Sequence, residues 1–351
     1  MTVGAGDKKG KHFYLRGDTP HGDIVMKILI TDKTENAVIQ QLKNAGQEVT
    51  FNEMDPATLL KEIPQYDGLM VRSRTKATAD IINAGAKGKL KVIGRAGIGV
   101  DNIDLVTASQ NKIKVVNAPT GTTESVAELA FGLMLAASRS IPQADHSMKQ
   151  GLWEKKAFKG VELCGKTLGI IGIGRIGTEL GKRALAFHMN VLAYDKYIQK
   201  SPFEKIIMVS LEKLLKESDY ISLHIPFVKT EGATITESDF EKMKNGVILI
   251  NCARGGVVDE QALLKHLNAG KVQAAALDVY AAEPPTFKEL VNHPKVICTP
   301  HIGASTKEGQ LRAGKICAEQ MLLALSGKTP EFWVNKKMNF AAVKEVVYNT
   351  V

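Results

Sequence analysis

Arg254, Glu283 and His301 stand at or just past the ends of apolar runs, in Asn251-Cys-Ala-Arg-Gly-Gly256, Asp278-Val-Tyr-Ala-Ala-Glu-Pro284 and Pro300-His-Ile-Gly-Ala304. Their types suit hydride exchange with a carbonyl. The imidazole passes a proton to the carbonyl oxygen, and the guanidinium polarises the carbonyl and fixes any carboxylate. A carboxylate beside the imidazole favours its protonated form and raises its pKa toward working pH. Singly, each has a plainer reading: a capping histidine, a helix-end salt bridge, a loop start. The set gains meaning from Gly172, Gly174 and Gly177 in Leu168-Gly-Ile-Ile-Gly-Ile-Gly-Arg-Ile-Gly177.

That spacing is G-x-G-x-x-G, with an apolar strand over 168–171 before it and a helix-competent segment over 176–187 after it. Gly172 permits the tight turn, Gly174 lets the backbone approach a pyrophosphate, and Gly177 allows helix and strand to pack closely. The free N–H groups and positive end of the helix make an anion site without a charged side chain. A further strand over 190–194 ends at Asp195, 18 residues beyond Gly177. An acid there accepts ribose hydroxyls and repels a 2′-phosphate, so NAD is expected rather than NADP.

The elements that must position these groups alternate as strand and helix from Met26 onward. Strands are expected over 27–30, 48–51, 68–71, 92–94 and 114–116, with helices over 35–44, from Pro56, and over 78–84. Pro119 and Gly121 break the chain before a helix capped by Thr122 or Thr123 and running through Ser138. The polar stretch 139–165 is expected to wrap across the surface. Beyond Asp195, helices over 211–217, 236–243 and 260–268 alternate with strands over 220–223, 247–250, 274–277 and 296–299, and a long helix over 307–325 leads back toward the first block. This alternation predicts an α/β protein with two doubly wound parallel-sheet domains. In such sheets ligands sit beyond the carboxyl ends of the strands, where Arg72 and the Gly97-Ile98-Gly99 turn also fall.

Composition narrows the class. At 351 residues, with 44% hydrophobic and 24% charged residues, the chain has room for two domains with sizeable cores. The longest apolar stretch, over 126–138, carries Glu128 and falls short of the ~20 residues that span a bilayer. Residues 1–25 lack a signal peptide's apolar core and are expected to form an irregular extension, as 336–351 are a tail. The four cysteines show no C-x-x-C pairing, which points away from a disulfide framework or zinc site and fits a reducing cytoplasm. A net charge of +9 is partly concentrated between Arg72 and Arg95, a stretch able to attract a small anion. No aromatic-interleaved basic stripe accompanies it, so nucleic-acid binding is not expected.

The four motifs around Gly177, Arg254, Glu283 and His301, in this order, resemble the D-isomer-specific 2-hydroxyacid dehydrogenase family over about Met26 to Asn335. The resemblance implies a Rossmann nucleotide domain over 121–305 and a flavodoxin-like substrate domain over 26–120 and 306–335. It implies that Arg254, Glu283 and His301 are catalytic. It places Arg175, Ile176, Asp195, Ile225, Cys252, Ala253, Asp278, Gly303 and Ala304 near NAD, beside the three motif glycines. It also implies a homodimer built through the nucleotide domain, acting on a small anionic 2-hydroxy acid.

Within the family, Val71-Arg-Ser-Arg-Thr75 and Gly94-Arg-Ala-Gly-Ile-Gly-Val-Asp-Asn-Ile-Asp104 are most similar to the short form of the branch that acts on 3-phospho-D-glycerate. That likeness makes Arg72, Ile98 and Gly99 substrate contacts together with Arg254, and Arg95 a lesser candidate. The implied reaction is oxidation of 3-phospho-D-glycerate to 3-phosphohydroxypyruvate, the opening step of serine synthesis. Reduction of glyoxylate or hydroxypyruvate on the same scaffold stands as an alternative, as does an NAD-sensing corepressor-like scaffold. Thr122 departs from the asparagine that commonly follows Asn-Ala-Pro-x-Gly. The chain ends about sixteen residues after Asn335, so regulatory domains and feedback by serine are not expected.

Overall fold

The computed structural model describes residues 25–336; apart from Val25 and Lys336, the expected extension and tail lie outside the described residues. The first sheet consists of β1 (Lys27–Ile30), β2 (Glu48–Phe51), β3 (Gly68–Val71), β4 (Val92–Arg95) and β5 (Lys114–Val116). They pair in parallel in the order β2-β1-β3-β4-β5, the flavodoxin-like winding. Parallel pairing needs crossovers, supplied by α1 (Asn36–Asn44), α2 (Pro56–Glu62), α3 (Ala79–Lys87) and α4 (Leu105–Gln110). Helices on both faces explain why Gly-Leu-Met-Val71 is unbroken by polar residues: every residue of β3 is buried. Asp55 and Asp104 start α2 and α4 by accepting backbone N–H groups in the first turn.

The chain then crosses through α5 (Thr123–Arg139) and α6 (Ile141–Lys149) to the second sheet. Its strands are β6 (Thr167–Ile171), β7 (Asn190–Tyr194), β8 (Ile207–Met208), β9 (Tyr220–Leu223), β10 (Val247–Asn251), β11 (Val272–Leu277) and β12 (Val296–Cys298). All pair in parallel, in the order β12-β11-β10-β9-β6-β7-β8. This is the Rossmann winding with one strand added. Interspersed are α7 (Arg175–Ala186), α8 (Leu211–Glu217), α9 (Glu237–Lys242), α10 (Glu260–Asn268) and α11 (Lys288–Val291). Among the described residues four apolar clusters result, two for each sheet.

The last helix, α12 (Lys307–Leu325), returns to the first sheet. Its Ala313, Cys317, Ala318 and Met321 join the cluster that contains Ile28, Ile30 and Val92. Gly94 permits this approach, because a Cβ there would overlap the sulfurs of Cys317 and Met321. The two crossings between the sheets are tied together: Arg312 Nε donates to the Gly121 carbonyl at 3.1 Å, and Ser125 Oγ lies 2.7 Å from Thr306 Oγ1. Beyond α12, Asn335 accepts from Val115 N at 2.8 Å and stitches the chain to β5.

The stretch 139–165, expected to wrap across the surface, contains α6. Pro142 sits in its first turn, where the missing N–H costs nothing. Ser140, left-handed at φ 49°, separates α6 from α5. The short elements α4, α11 and β8 also escape the sequence reading, being too brief to show a period. No helix among the described residues is long and apolar enough to cross a membrane.

Candidate active site

Each sheet has a point where strand order reverses, between β6 and β9 in one and between β1 and β3 in the other. A crevice opens beyond the carboxyl ends of strands at such points. After β6, Gly172 turns the chain at φ 96°, and a Cβ on it would lie 2.5 Å from the carbonyl oxygen of His224. A Cβ on Gly177 would lie 2.2 Å from the carbonyl oxygen of Gly172, so helix and strand touch backbone to backbone. Gly174 stands at the N-cap of α7, which has no side-chain cap, and the space where the glycine's Cβ would stand is open. Its first N–H groups are thus left for an anionic ligand, and the cradle fits a dinucleotide pyrophosphate.

Arg175 opens α7 on the exposed side, whereas Ile176 and Ile225 line the cleft. Asp195 caps β7 and is already engaged. It accepts from Ile173 N at 3.0 Å, Tyr197 N at 2.8 Å and Ile198 N at 3.0 Å. These bonds hold the carboxylate beside the glycine turn and leave part of its roughly four acceptor positions for ribose hydroxyls. His224, 6% exposed, closes the floor; its Nε2 lies 2.9 Å from Ser222 Oγ. Burial pushes this imidazole down to about 4, so it stays neutral at pH 7.

The other wall carries the imidazole. Asp278, 1% exposed at the end of β11, accepts from Thr299 Oγ1 at 2.6 Å, Ile302 N at 2.8 Å and Gly303 N at 2.8 Å. The loop bearing His301 is therefore pinned on both sides of the histidine, whose own φ is 53°. His301 Nδ1 lies 2.8 Å from Glu283 Oε2, and the second Glu283 oxygen accepts from Tyr280 N at 3.3 Å. With Nδ1 committed, Nε2 is the nitrogen left for a substrate. Asp278, Cys252, Ala253, Gly303 and Ala304 line the same cleft as His301.

Arg254 follows β10 in a turn built by Asn251, whose side chain accepts from Ala253 N and donates to the Arg254 carbonyl, each at 3.0 Å. The guanidinium donates to the Ala253 carbonyl at 2.8 Å, and its Nε forms an ion pair with Asp101 of the first lobe at 3.3 Å. Gly99 makes room for it, since a Cβ there would lie 2.0 Å from the guanidinium. Ile98 and Arg95 line the cleft as well. Burial first, and then the neighbouring Arg254, push Arg95 down to about 10, which leaves it cationic at neutral pH. Its Nε is buried without a partner.

Arg72 stands apart from this group. Its guanidinium donates to the Lys33 carbonyl at 3.0 Å and to Gln310 Oε1 at 3.3 Å, and it is not among the residues lining the cleft with Arg95 and Arg254. Asp101, Asp32 and His224 carry no motif or spacing that marks them in the sequence. Asp32 accepts from Arg72 N at 2.6 Å and Thr75 N at 3.2 Å, and its only signal was a place just past the end of the first strand. Thr122, singled out as a departure, is 2% exposed and lines the cleft, with a hydroxyl that has no partner.

Two parallel sheets, a dinucleotide turn on one, and an imidazole–carboxylate pair facing arginines define a nicotinamide-linked oxidoreductase architecture. The chain belongs to the D-isomer-specific 2-hydroxyacid dehydrogenase family, and residues 131–303 match the model of that family's NAD binding domain. It is 49% identical over 306 residues to a D-3-phosphoglycerate dehydrogenase of Archaeoglobus fulgidus, a match covering 86% of this chain and 58% of that protein. A hydroxypyruvate reductase of Thermotoga maritima is 48% identical, over 85% of this chain and 98% of its own length. Among solved structures, a glyoxylate reductase from Paecilomyes thermophila superposes with a TM-score of 0.80 at 28% identity, over 90% of this chain and 99% of its own.

Proposed function

We propose that the chain oxidises 3-phospho-D-glycerate to 3-phosphohydroxypyruvate with NAD, the opening step of L-serine biosynthesis. The observation that carries this reading is the cleft itself, where His301, paired with Glu283 at 2.8 Å, shares one space with Arg254 and the half-buried Arg95. The likeness to phosphoglycerate dehydrogenases supports the substrate, and Asp195 beside the glycine turn supports NAD over NADP.

In this reading residues 121–305 bind the dinucleotide, and 26–120 with 306–335 bind the substrate. Gly172, Gly174 and the first turn of α7 would hold the pyrophosphate and Asp195 the ribose. A nicotinamide held there would supply the hydride acceptor for the substrate's C2. His301 takes the proton of the C2 hydroxyl at Nε2, or returns it to the oxygen in the reverse direction. Glu283 holds the imidazole at Nδ1 and so keeps Nε2 turned to the substrate. Arg254 holds the carboxylate in a forked contact and polarises the C2 oxygen. Ile98 and Gly99 pack the substrate's other side, and Arg95 and Arg72 supply positive charge toward the phosphate.

A homodimer through the nucleotide lobe fits the exposed apolar side chains Ile141, Met148, Leu152 and Trp153 on and after α6, with Trp153 80% exposed. Four free thiols suit a reducing, cytoplasmic setting.

Two observations favour reduction of hydroxypyruvate as a second reading: the Thermotoga maritima relative matched over 98% of its length, and an Arg72 engaged away from the cleft. NADH consumption with phosphohydroxypyruvate, hydroxypyruvate and glyoxylate decides between them. The highest kcat/KM is expected for the phosphorylated acid; a preference for hydroxypyruvate selects the second reading, and turnover of none of them defeats both.

A further inference from the structure

We propose that Asp101 is a positioning residue for Arg254, holding the guanidinium from the opposite lobe so that its remaining N–H groups meet the substrate carboxylate. The proposal rests on the reading of Arg254 as the carboxylate-binding cation. A guanidinium on a flexible stem needs more than one fixed contact to present its fork in a single orientation. One contact comes from its own turn, the bond to the Ala253 carbonyl at 2.8 Å. The second comes across the cleft, where Asp101 Oδ2 lies 3.3 Å from Nε. Gly99 completes the seat, because the guanidinium occupies the space that a Cβ at that position would take.

No other acid at the cleft is free for this role. The acids among its lining residues are Asp101 and Asp278, and Asp278 is committed to Thr299, Ile302 and Gly303. Glu283 is committed to His301 and Tyr280. Asp101 also faces Arg95, whose charge it favours against the effects of burial and of Arg254. The Asp101 side chain is 67% exposed, so solvent screens the pair and its worth lies in orientation rather than in stability. Because Asp101 follows β4 and Arg254 follows β10, the contact exists only while the two lobes are together. Arg254 is thereby set by closure of the cleft as well as by the substrate.

A double-mutant cycle tests this. Asp101→Ala is expected to lower kcat/KM for the preferred 2-oxo acid by about tenfold, with the KM for NADH unchanged. In an Arg254→Ala background the same substitution is expected to add no further loss. Asp101→Asn, which keeps an acceptor oxygen but loses the charge, recovers part of the activity and serves as the readout if the alanine variant does not fold. An equal loss in both backgrounds, unchanged kinetics for Asp101→Ala alone, or a matching rise in the NADH KM overturns the proposal while leaving Arg254 in place. If Arg254→Ala by itself is as active as the parent, the reading of the site fails and takes the proposal with it.

Discussion

The two strand-order reversals of this molecule are topological equivalents put to opposite uses. In the second sheet the reversal is left open: a glycine turn, an uncapped α7 and backbone N–H groups face the crevice. In the first sheet the corresponding place after β1 is filled by the protein's own anion. Asp32, 3% exposed, accepts from Arg72 N, Thr75 N and Thr75 Oγ1 and pairs with Arg74 Nε at 3.3 Å. The winding of a parallel sheet supplies the mouth; the side chains there decide whether it receives a ligand or is stoppered. The stopper ties the end of β1 to the Arg72–Thr75 loop of its own lobe.

Removing the chemistry at the open mouth should leave the stopper untouched. His301→Asn is expected to cut kcat by about 10²–10⁴-fold while NADH affinity and circular dichroism stay as in the parent. An undiminished kcat would take His301 out of the reaction. The reverse experiment removes the stopper. Asp32→Ala orphans buried donors and an arginine, and should cost about 4 kcal/mol in urea unfolding, with NADH affinity unaffected. A loss no larger than for a surface substitution would show that the first reversal is as empty as the second.

His224 sharpens the contrast through pH, because the floor of the open mouth is a buried neutral imidazole. Its folded pKa of about 4 lies below the ordinary 6.5, so between those values the unfolded chain binds the extra proton. Stability from this group is complete above pH 6.5 and falls as pH drops toward 4, by about 3 kcal/mol in all. Thermal melts across that range should be steeper for the parent than for His224→Gln; parallel curves would assign the acid sensitivity elsewhere. The smallest effect is the most specific. Gly174→Ala meets no atom within 4 Å, so the melting temperature should hold. On the proposed reading its new methyl group would stand where a pyrophosphate approaches, and the NADH Kd should rise about tenfold.

Much of this was legible in the residue order because it is local. The glycine spacing from 172 to 177, the full extents of α10 and α12, and the placing of Arg254, Glu283 and His301 beyond apolar runs all depend on neighbours a few positions away. Short-range geometry of turns, helix periods and strand ends is written in such spacings. Short elements such as α4, α11 and β8 were not legible, because no period had room to develop in them.

What only the tertiary structure decided is which charges meet. Asp32 reaches the Arg72–Thr75 loop from 40 residues away, Arg72 spends its guanidinium on Gln310 of α12, and Asp101 crosses the cleft to Arg254. An arginine's type states that it will carry charge, but its partner is set by the lobes and loops that packing brings within a few ångströms. Ion pairs have no sequence period, and so the order of residues alone determined the two sheets and their chemistry, while the fold decided which mouth stays open.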